Sequence, residues 1–424
     1  MGFVLFDMLS NCYRDVTHFK LLNKCNKKVF ATIIVLSTLI LCLGMHNMVY
    51  DNISHPGEVT KTDFSEHIRH WNVSYWKPKQ TKRILMWTPF FSTNTSKAAE
   101  GFNKGFKLCN KKCIATDVKD EISVSDAVIF HASDIWKHRG IVTNILDQGI
   151  EFPAVHKPEQ VWVFYSMEPV TKMYGTIKPN TFNWTMYLRR ESTILTSYSA
   201  YRKKLPEEMA KPSTLTEEIP NYFKTKTKFA ATVVSNCYPP FQRYRVIEEL
   251  QKHVDLNYYG RCSGKSPLPA EFIKNDVREE LLKDFKFYIA LENSICRDYI
   301  SEKFWNALDR RQIPVIAAPK YNLELLPEHS YLNLFDFENV KDLAEKMEEI
   351  GNNETLYNSF FDWTSTWSRR TGSSECALCE ELHKNKTAQV YDIDAWLNDD
   401  LCQKPTVLGI ANNFVSSVLH DFGL

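Results

Sequence analysis

The sequence has almost no net charge: 52 lysines and arginines stand against 51 aspartates and glutamates over 424 residues, formally +1. That balance argues against a protein that holds nucleic acid by electrostatics. Glycine is scarce, at 14 residues, and neither a Gly-rich dinucleotide fingerprint nor a Walker lysine motif occurs, which disfavours NAD and P-loop chemistry. Metal-type acidic pairs are rare too. The only Asp-x-Asp is Asp392-Ile393-Asp394, late in the chain, and it reads as surface acid. Cys376-x-x-Cys379 has the form of a zinc half-site or a redox motif, but zinc needs a second ligand pair, and only the loosely placed Cys109 and Cys113 offer one.

Charge is missing altogether from residues 29–50, which follow Lys20, Lys24, Lys27 and Lys28. Such a run can cross a bilayer core as a helix. It is long, starts late and lacks a small-residue cleavage site, so it reads as a signal-anchor and not as a removed signal peptide. The basic flank stays cytoplasmic. The expected layout is a cytoplasmic tail at 1–28, a single-pass type II transmembrane helix at 29–50, a polar stem at 51–80 and a lumenal remainder. Six Asn-x-Ser/Thr sequons, at Asn52, Asn72, Asn94, Asn183, Asn353 and Asn385, all fall on the lumenal side. So do eight of the eleven cysteines: Cys109, Cys113, Cys237, Cys262, Cys296, Cys376, Cys379 and Cys402. An even number in an oxidising lumen points to structural disulfides without giving their connectivity.

The lumenal part alternates strand and helix patterns. Apolar runs at 83–88, 126–131 and 161–166 read as strands of an α/β unit over a parallel sheet. Residues 199–226, charged and rich in Lys, Pro, Glu and Thr, read as a linker. A second α/β unit begins with a strand at 229–234, a loop at 235–240, a helix at 242–252 with Val246, Ile247 and Leu250 on one face, and a strand at 254–259. Its second βαβ lies at 286–319. A strand at 287–291 leads through a polar loop at 292–298 to a helix with Ile300, Phe304, Ala307 and Leu308 on one face. A strand at 313–318 follows, with Pro314 near its start. Arg243 and Lys303 each fall in a first helical turn, at the strand carboxyl ends where open α/β sheets bind ligands. A guanidinium and an ammonium beside two helix N-termini suit a diphosphate. The expected domains are 81–215 and 216–375, with a C-terminal extension at 376–424. Within these lie a helix at 340–349, an aromatic segment at 360–367, and an amphipathic stretch at 410–419 with no functional reading.

Segment 286–319 resembles the signature of the α1,3-fucosyltransferases, glycosyltransferase family 10: F-Y-x-x-x-E-N-S, a short gap, D-Y-[IV]-[ST]-E-K, then a helix and a P-V strand. Tyr288, Glu292, Asn293, Ser294, Asp298, Tyr299, Ser301, Glu302, Lys303 and Pro314 match it. Ser235, Asn236 and Arg243 are similar to its S-N-C and following arginine. Ser166-Met167-Glu168-Pro169 is similar to its S-x-E-S-P. Asn183-Trp184-Thr185 and Arg189 to Ile194 are similar to its N-x-T and R-R-D-S-D-I, and Cys376-x-x-Cys379 to its C-terminal cysteine pair. The likeness covers residues 80–380.

The resemblance implies two facing Rossmann-like domains (GT-B) behind a membrane anchor in the Golgi. It also implies inverting transfer of L-fucose from GDP-β-L-fucose to a GlcNAc hydroxyl of an N-glycan or other glycoconjugate, in α1,3 linkage. Glu168 is then the general base, Arg243 and Lys303 hold the diphosphate, and Asn293, Tyr299, Glu302, Tyr288, Ser235, Asn236 and Tyr198 complete the GDP-fucose pocket. Blander readings exist for several of these: Tyr288 as a core residue, Ser235 and Asn236 as turn formers, Glu302 as a favourable charge in a first helical turn. Cys109, Cys113, Cys376 and Cys379 are the disulfide candidates. No metal or cofactor is required, although a divalent ion could stimulate. Departures gather on the acceptor side: Pro169 directly follows Glu168, Thr193 replaces an acidic residue, and Ser197-Tyr198-Ser199 stands for P-Y-G. They leave the acceptor open among lactosamine antennae, a chitobiose core and a protein-linked sugar. Two other readings remain: a transferase of this architecture using another nucleotide sugar, and a catalytically silent lumenal glycan-binding protein.

Overall fold

The computed structural model describes residues 68–71, 80–91, 94–135, 150–154, 156–169, 177–198, 201–209, 220–237, 241–263, 275–370, 373–384, 388–398 and 402. After β1 (Ile68–Trp71), the chain builds a first sheet from β2 (Thr81–Met86), β3 (Lys112–Thr116), β4 (Ala127–His131), β5 (Val161–Tyr165), β6 (Trp184–Tyr187) and β7 (Ile194–Leu195). Their order is β3-β2-β4-β5-β6-β7 and every pairing is parallel. Strands β4 and β5 are apolar at nearly every position because both faces are covered, the signature of a parallel sheet. One cover is α1 (Thr95–Phe106), which buries Ala98, Ala99, Phe102 and Phe106 and is capped by Asn94, whose Oδ1 accepts the Lys97 N–H at 2.9 Å.

The chain then crosses through β8 (Tyr201–Lys203) into a second sheet of β9 (Lys228–Val233), β10 (Leu256–Tyr259), β11 (Phe285–Ile289), β12 (Ile313–Ile316) and β13 (Leu332–Asn333). The order is β10-β9-β11-β12-β13, again all parallel. Its helices include α2 (Arg243–Leu250), α3 (Glu302–Asp309) and α4 (Val340–Gly351), each with one buried stripe. The aromatic segment at 360–367 supplies core, with Phe361, Trp363 and Trp367 buried. The chain crosses back through β14 (Trp367–Arg369), which pairs antiparallel with β8. Residues 199–226 are therefore more than a linker: part of them forms a two-stranded ribbon made of both crossings.

The return brings the C-terminal segment onto the first unit. Helix α5 (Ser374–His383) is bonded to the end of α1 and the start of β3 through Cys109–Cys376 and Cys113–Cys379. Strand β15 (Ala388–Tyr391) pairs with β1. Helix α6 (Ile393–Asn398) sinks Ile393, Trp396 and Leu397 beside Phe130, Phe164 and Phe182. Asp392 and Asp394, expected as surface acid, are structural instead: Asp392 Oδ1 accepts the Ala395 N–H at 3.1 Å and Asp394 Oδ2 the Ile177 N–H at 2.9 Å. Cys237–Cys262 and Cys296–Cys402 complete the pairing of all eight expected lumenal cysteines.

Of the sequons, Asn94 and Asn353 are exposed helix caps. Asn183 is not a free surface amide. It is half-buried, its Oδ1 accepts the Trp162 N–H at 2.8 Å, and the next two residues, Trp184 and Thr185, are interior. Among the described residues no helix is long and apolar enough to cross a membrane. The proposed anchor at 29–50, Asn52, Asn72, Asn385 and the stretch at 410–419 lie outside the described residues.

Candidate active site

In the second sheet the strand order reverses between β9 and β11. The loops after those two strands diverge there and leave a crevice at the carboxyl ends. They are tied across it by Phe241 N–H donating to the Asn293 carbonyl at 3.1 Å. The β9 loop is fastened to the end of β10 by Cys237–Cys262. Gly260 makes that approach possible: its φ is +99°, and a Cβ there would lie 2.3 Å from the Val234 carbonyl oxygen.

Arg243 opens α2 at this point and is 3% exposed. Its Nη1 donates to the Leu291 carbonyl at 2.8 Å and its Nη2 to the Asn236 carbonyl at 3.3 Å. Burial pushes its pKa down, against the opposing pull of Glu292. The Arg243 Nε–H and Asn293 Oδ1 are buried without a partner among the described residues. Native proteins leave few such atoms, and two beside one crevice mark a place for a polar ligand.

The N-terminus of α3 supplies the other cation. Ser301 caps the helix and donates its N–H and O–H to the Glu292 carboxylate at 2.8 and 2.9 Å. Lys303 Nζ lies 2.9 Å from Ser301 Oγ, 3.3 Å from Glu292 Oε2 and 3.2 Å from Glu302 Oε1. Burial would lower the Lys303 ammonium, but the Glu292 and Glu302 carboxylates outweigh it and hold its pKa above the ordinary lysine value. Burial pushes the Glu302 carboxyl up, while Lys303 and the first helical turn pull it further down. Glu292, 6% exposed, is the hub of this arrangement. The sequence reading placed it in the signature without giving it a task; its signal was the E of E-N-S.

Across the crevice, Glu168 sits three residues past the end of β5, in a bend where Ser166 Oγ accepts the Glu168 N–H at 3.0 Å. Tyr198 and Tyr299 feel charges from both sides. Burial first, and then the carboxylates of Glu168, Glu292 and Glu302, push both phenols well above the usual tyrosine value. Tyr198 packs against the cores of both units, and Tyr299 is buried with those of the first. The structure thus gathers Glu168, Tyr198, Tyr299, Asn293, Glu302, Lys303 and Arg243 around one crevice. It does not present Tyr288, Ser235 and Asn236 in the same way. Tyr288 is a 5% exposed strand residue under the Arg310 guanidinium, 4.8 Å from its ring centroid, and it feels the crevice only through the charges of Lys303 and Glu302. Ser235 is exposed and contributes its carbonyl to Arg261 at 2.8 and 3.1 Å, while Asn236 contributes its carbonyl to Arg243.

A clasp that sequence reasoning missed fixes the β11 loop to the first unit. Asp298, at φ +61°, accepts from the Arg190 N–H and Nε–H, both at 3.0 Å. Arg297 pairs with Glu191, and Asn322 bridges Asp298 N–H and the Cys296 carbonyl. Thr193, the diverged acidic position, hydrogen-bonds the Tyr391 hydroxyl at 2.9 Å and is part of this scaffold. Among the described residues, the one group of potential metal ligands close enough to share an ion is Cys113, Cys379 and His383, and the two cysteines are bonded to each other.

Comparison with known proteins bears on this crevice. Residues 79–199 match the family described as "Fucosyltransferase, N-terminal", and residues 223–396 match "Glycosyltransferase family 10 (fucosyltransferase) C-term". The chain is 31% identical over 325 residues to the glycoprotein 3-alpha-L-fucosyltransferase A of Drosophila melanogaster, covering 74% of this chain and 60% of that protein. It is 28% identical to an alpha-(1,3)-fucosyltransferase of Caenorhabditis elegans, covering 77% and 83%. It is 32% identical to a 4-galactosyl-N-acetylglucosaminide 3-alpha-L-fucosyltransferase of Hylobates lar, covering 76% and 81%. A solved α1,3-fucosyltransferase structure aligns over 69% of this chain and 84% of its own, with 16% identity and a TM-score of 0.44.

Proposed function

The chain belongs to glycosyltransferase family 10, the fucosyltransferases, and on that premise we propose that it transfers L-fucose from GDP-β-L-fucose to a GlcNAc hydroxyl of an N-glycan or other glycoconjugate, in α1,3 linkage with inversion. In this reading the two units are the facing Rossmann-like domains of a GT-B enzyme, held in the Golgi lumen by a type II anchor. The observation that supports it is that the Glu168 carboxylate acts on the same two buried phenols, Tyr198 and Tyr299, as Glu292 and Glu302, the partners of Lys303.

Inversion needs a single displacement. The acceptor oxygen bonds to the fucose anomeric carbon from the face away from the diphosphate, and the bond to the phosphate oxygen breaks, its electron pair leaving with GDP. Glu168 takes the proton from the attacking hydroxyl. Arg243 and Lys303 meet the charge that grows on the leaving diphosphate, in a crevice where their donors are already fixed. Before donor binds, Lys303 is balanced by Glu292 and Glu302; the diphosphate takes over part of that balance, and Glu302 is free to accept from a fucose hydroxyl. Asn293 Oδ1 and the Arg243 Nε–H, both without partners among the described residues, are completed by the donor. Two fixed cations on the diphosphate make a resident metal unnecessary, and a divalent ion is at most stimulatory.

The relatives' names span a glycoprotein acceptor and a 4-galactosyl-N-acetylglucosaminide acceptor, so the acceptor is decided by a glycan array with the full chain and GDP-fucose. Glu168→Gln is expected to bind GDP-fucose normally and to lose about 10²–10⁴-fold in turnover, the size of a general-base contribution. Turnover near the native rate would remove Glu168 from that role.

A further inference from the structure

A second cavity, of ≈ 250 Å³, lies where the two crossings meet, walled by residues of both β8 and β14. It is distinct from the crevice of Glu168 and Lys303. Ser197, Asp298 and Ile300 line it, whereas their chain neighbours Tyr198 and Tyr299 are the rings that feel the crevice carboxylates. Its lining holds four cations, Arg190, Arg202, Lys203 and Arg370, against two carboxylates, Asp298 and Glu324. Arg190 is matched by those two carboxylates and Arg202 by Glu208 at 2.6 and 2.7 Å. Lys203 and Arg370 have no carboxylate partner among the described residues. Trp305 lines the wall with its ring and is 2% exposed. Tyr201 and Trp367 add aromatic walls.

The cavity therefore offers positive charge from the exposed Lys203 and Arg370, aromatic ring faces, and one exposed carboxylate, Glu324, with lone pairs open to hydroxyl groups. Its volume is below the roughly 300–1,000 Å³ of drug-sized pockets, which limits the occupant to a single ring. We propose that it binds an acidic monosaccharide: a sugar ring carrying a carboxylate or a sulfate, with the anion on Lys203 and Arg370, the hydroxyls toward Glu324 and the ring against Tyr201 and Trp367. A neutral sugar leaves both cations unmatched, and a nucleoside diphosphate is too large. The inference goes beyond the transferase reading and does not depend on it, since binding is measured without turnover.

The test is equilibrium binding of glucuronic acid and N-acetylglucosamine 6-sulfate to the full chain, with N-acetylglucosamine as the neutral control, with and without saturating GDP. The acidic probes are expected to bind at least about tenfold more tightly than the neutral one, as charge-assisted hydrogen bonds require, and GDP is expected not to displace them. Lys203→Met with Arg370→Met should remove that preference and leave GDP-fucose binding unchanged. No binding, equal binding of the neutral sugar, displacement by GDP, or an undiminished preference in the double variant would each overturn the proposal.

Discussion

Lys303→Met separates what the lysine does for the fold from what it does for the donor. In the unliganded protein Lys303 is the counter-charge of Glu292, 3.3 Å away, in a pair whose side chains are 20% and 8% exposed. Removing one member of such a pair leaves a buried charge and costs about 3–5 kcal/mol. Two donors from Ser301 remain on Glu292, which places the expected loss near the lower end, about 3 kcal/mol. At roughly 2–4 °C per kcal/mol for a domain of this size, melting should fall by about 6–12 °C. Turnover should fall by about 10²–10³, the range for deleting one fixed group that meets transition-state charge. The deciding variant is Lys303→Met combined with Glu292→Gln. With both charges gone, the melting temperature should return most of the way, because a vanished pair is far less harmful than half of one. Turnover should stay low, because the diphosphate still lacks its cation. The assays are thermal unfolding followed by tryptophan fluorescence, and GDP-fucose consumption at saturating donor. If the double variant regained turnover, Lys303 would matter only as the neutraliser of Glu292 and its place on the diphosphate would be wrong. If the single variant melted like the native protein, the pair would contribute nothing.

Other expectations follow from single features. The bonds Cys109–Cys376 and Cys113–Cys379 close nearly the same loop, 267 and 266 residues. Loop entropy of about 5–6 kcal/mol should be lost only when both are removed by Cys→Ser changes, with about 1–2 kcal/mol for either alone, as denaturant titration would show. His156 stacks on Trp162 at 4.2 Å, and burial lowers its pKa below 6.5 despite hydrogen bonds to Gln160 and Asn183. The unfolded chain then binds more protons just below pH 6.5, so stability is full above that value and falls as pH drops through it; His156→Gln should flatten the slope between pH 7 and 5. Thr355→Ala deletes a sequon while leaving the Asn353 cap, and should remove one glycan by mass without shifting the melt; Asn353→Gln should remove the glycan and about 1 kcal/mol of cap. Asn183→Gln should change no glycan mass and lower the melt, because the Trp162 N–H loses its acceptor.

Much of the fold was legible where pattern and burial coincide. The apolar runs of β4, β5 and β11 are buried on both faces, and that alone marks parallel strands. Boundaries shifted where the pleat ends before the apolar run does: β5 stops at Tyr165, so Glu168 sits in a bend and does not close a strand. Interactions between distant segments were not legible. Residues 201–203 look like linker because their composition is charged, yet they pair with Trp367–Arg369, and no local signal carries that partner. Tyr391, Ile393, Trp396 and Leu397 are too short a run to show periodicity, and their burial depends on strands more than 200 residues earlier. At the site, the residue types around the crevice were readable from helix starts. The double use of Arg243, holding two carbonyls as well as facing the crevice, needed the backbone in place.

The return of α5, β15 and α6 to the first unit sets an order of assembly during synthesis. The second sheet is drawn from one contiguous stretch, Lys228 to Asn333, and has all its strands once that stretch has emerged. The first cannot bury Phe130, Phe164 and Phe182 against Trp396, or pair Cys109 and Cys113 with their partners, until Cys376, Cys379 and Trp396 have emerged, the first of them 267 residues past Cys109. At roughly 5–20 residues per second that interval is about 15–50 s. During it an unfinished sheet and two unpaired thiols stand open. The half born first is the half finished last, and damage to the end of the chain will be felt at its beginning.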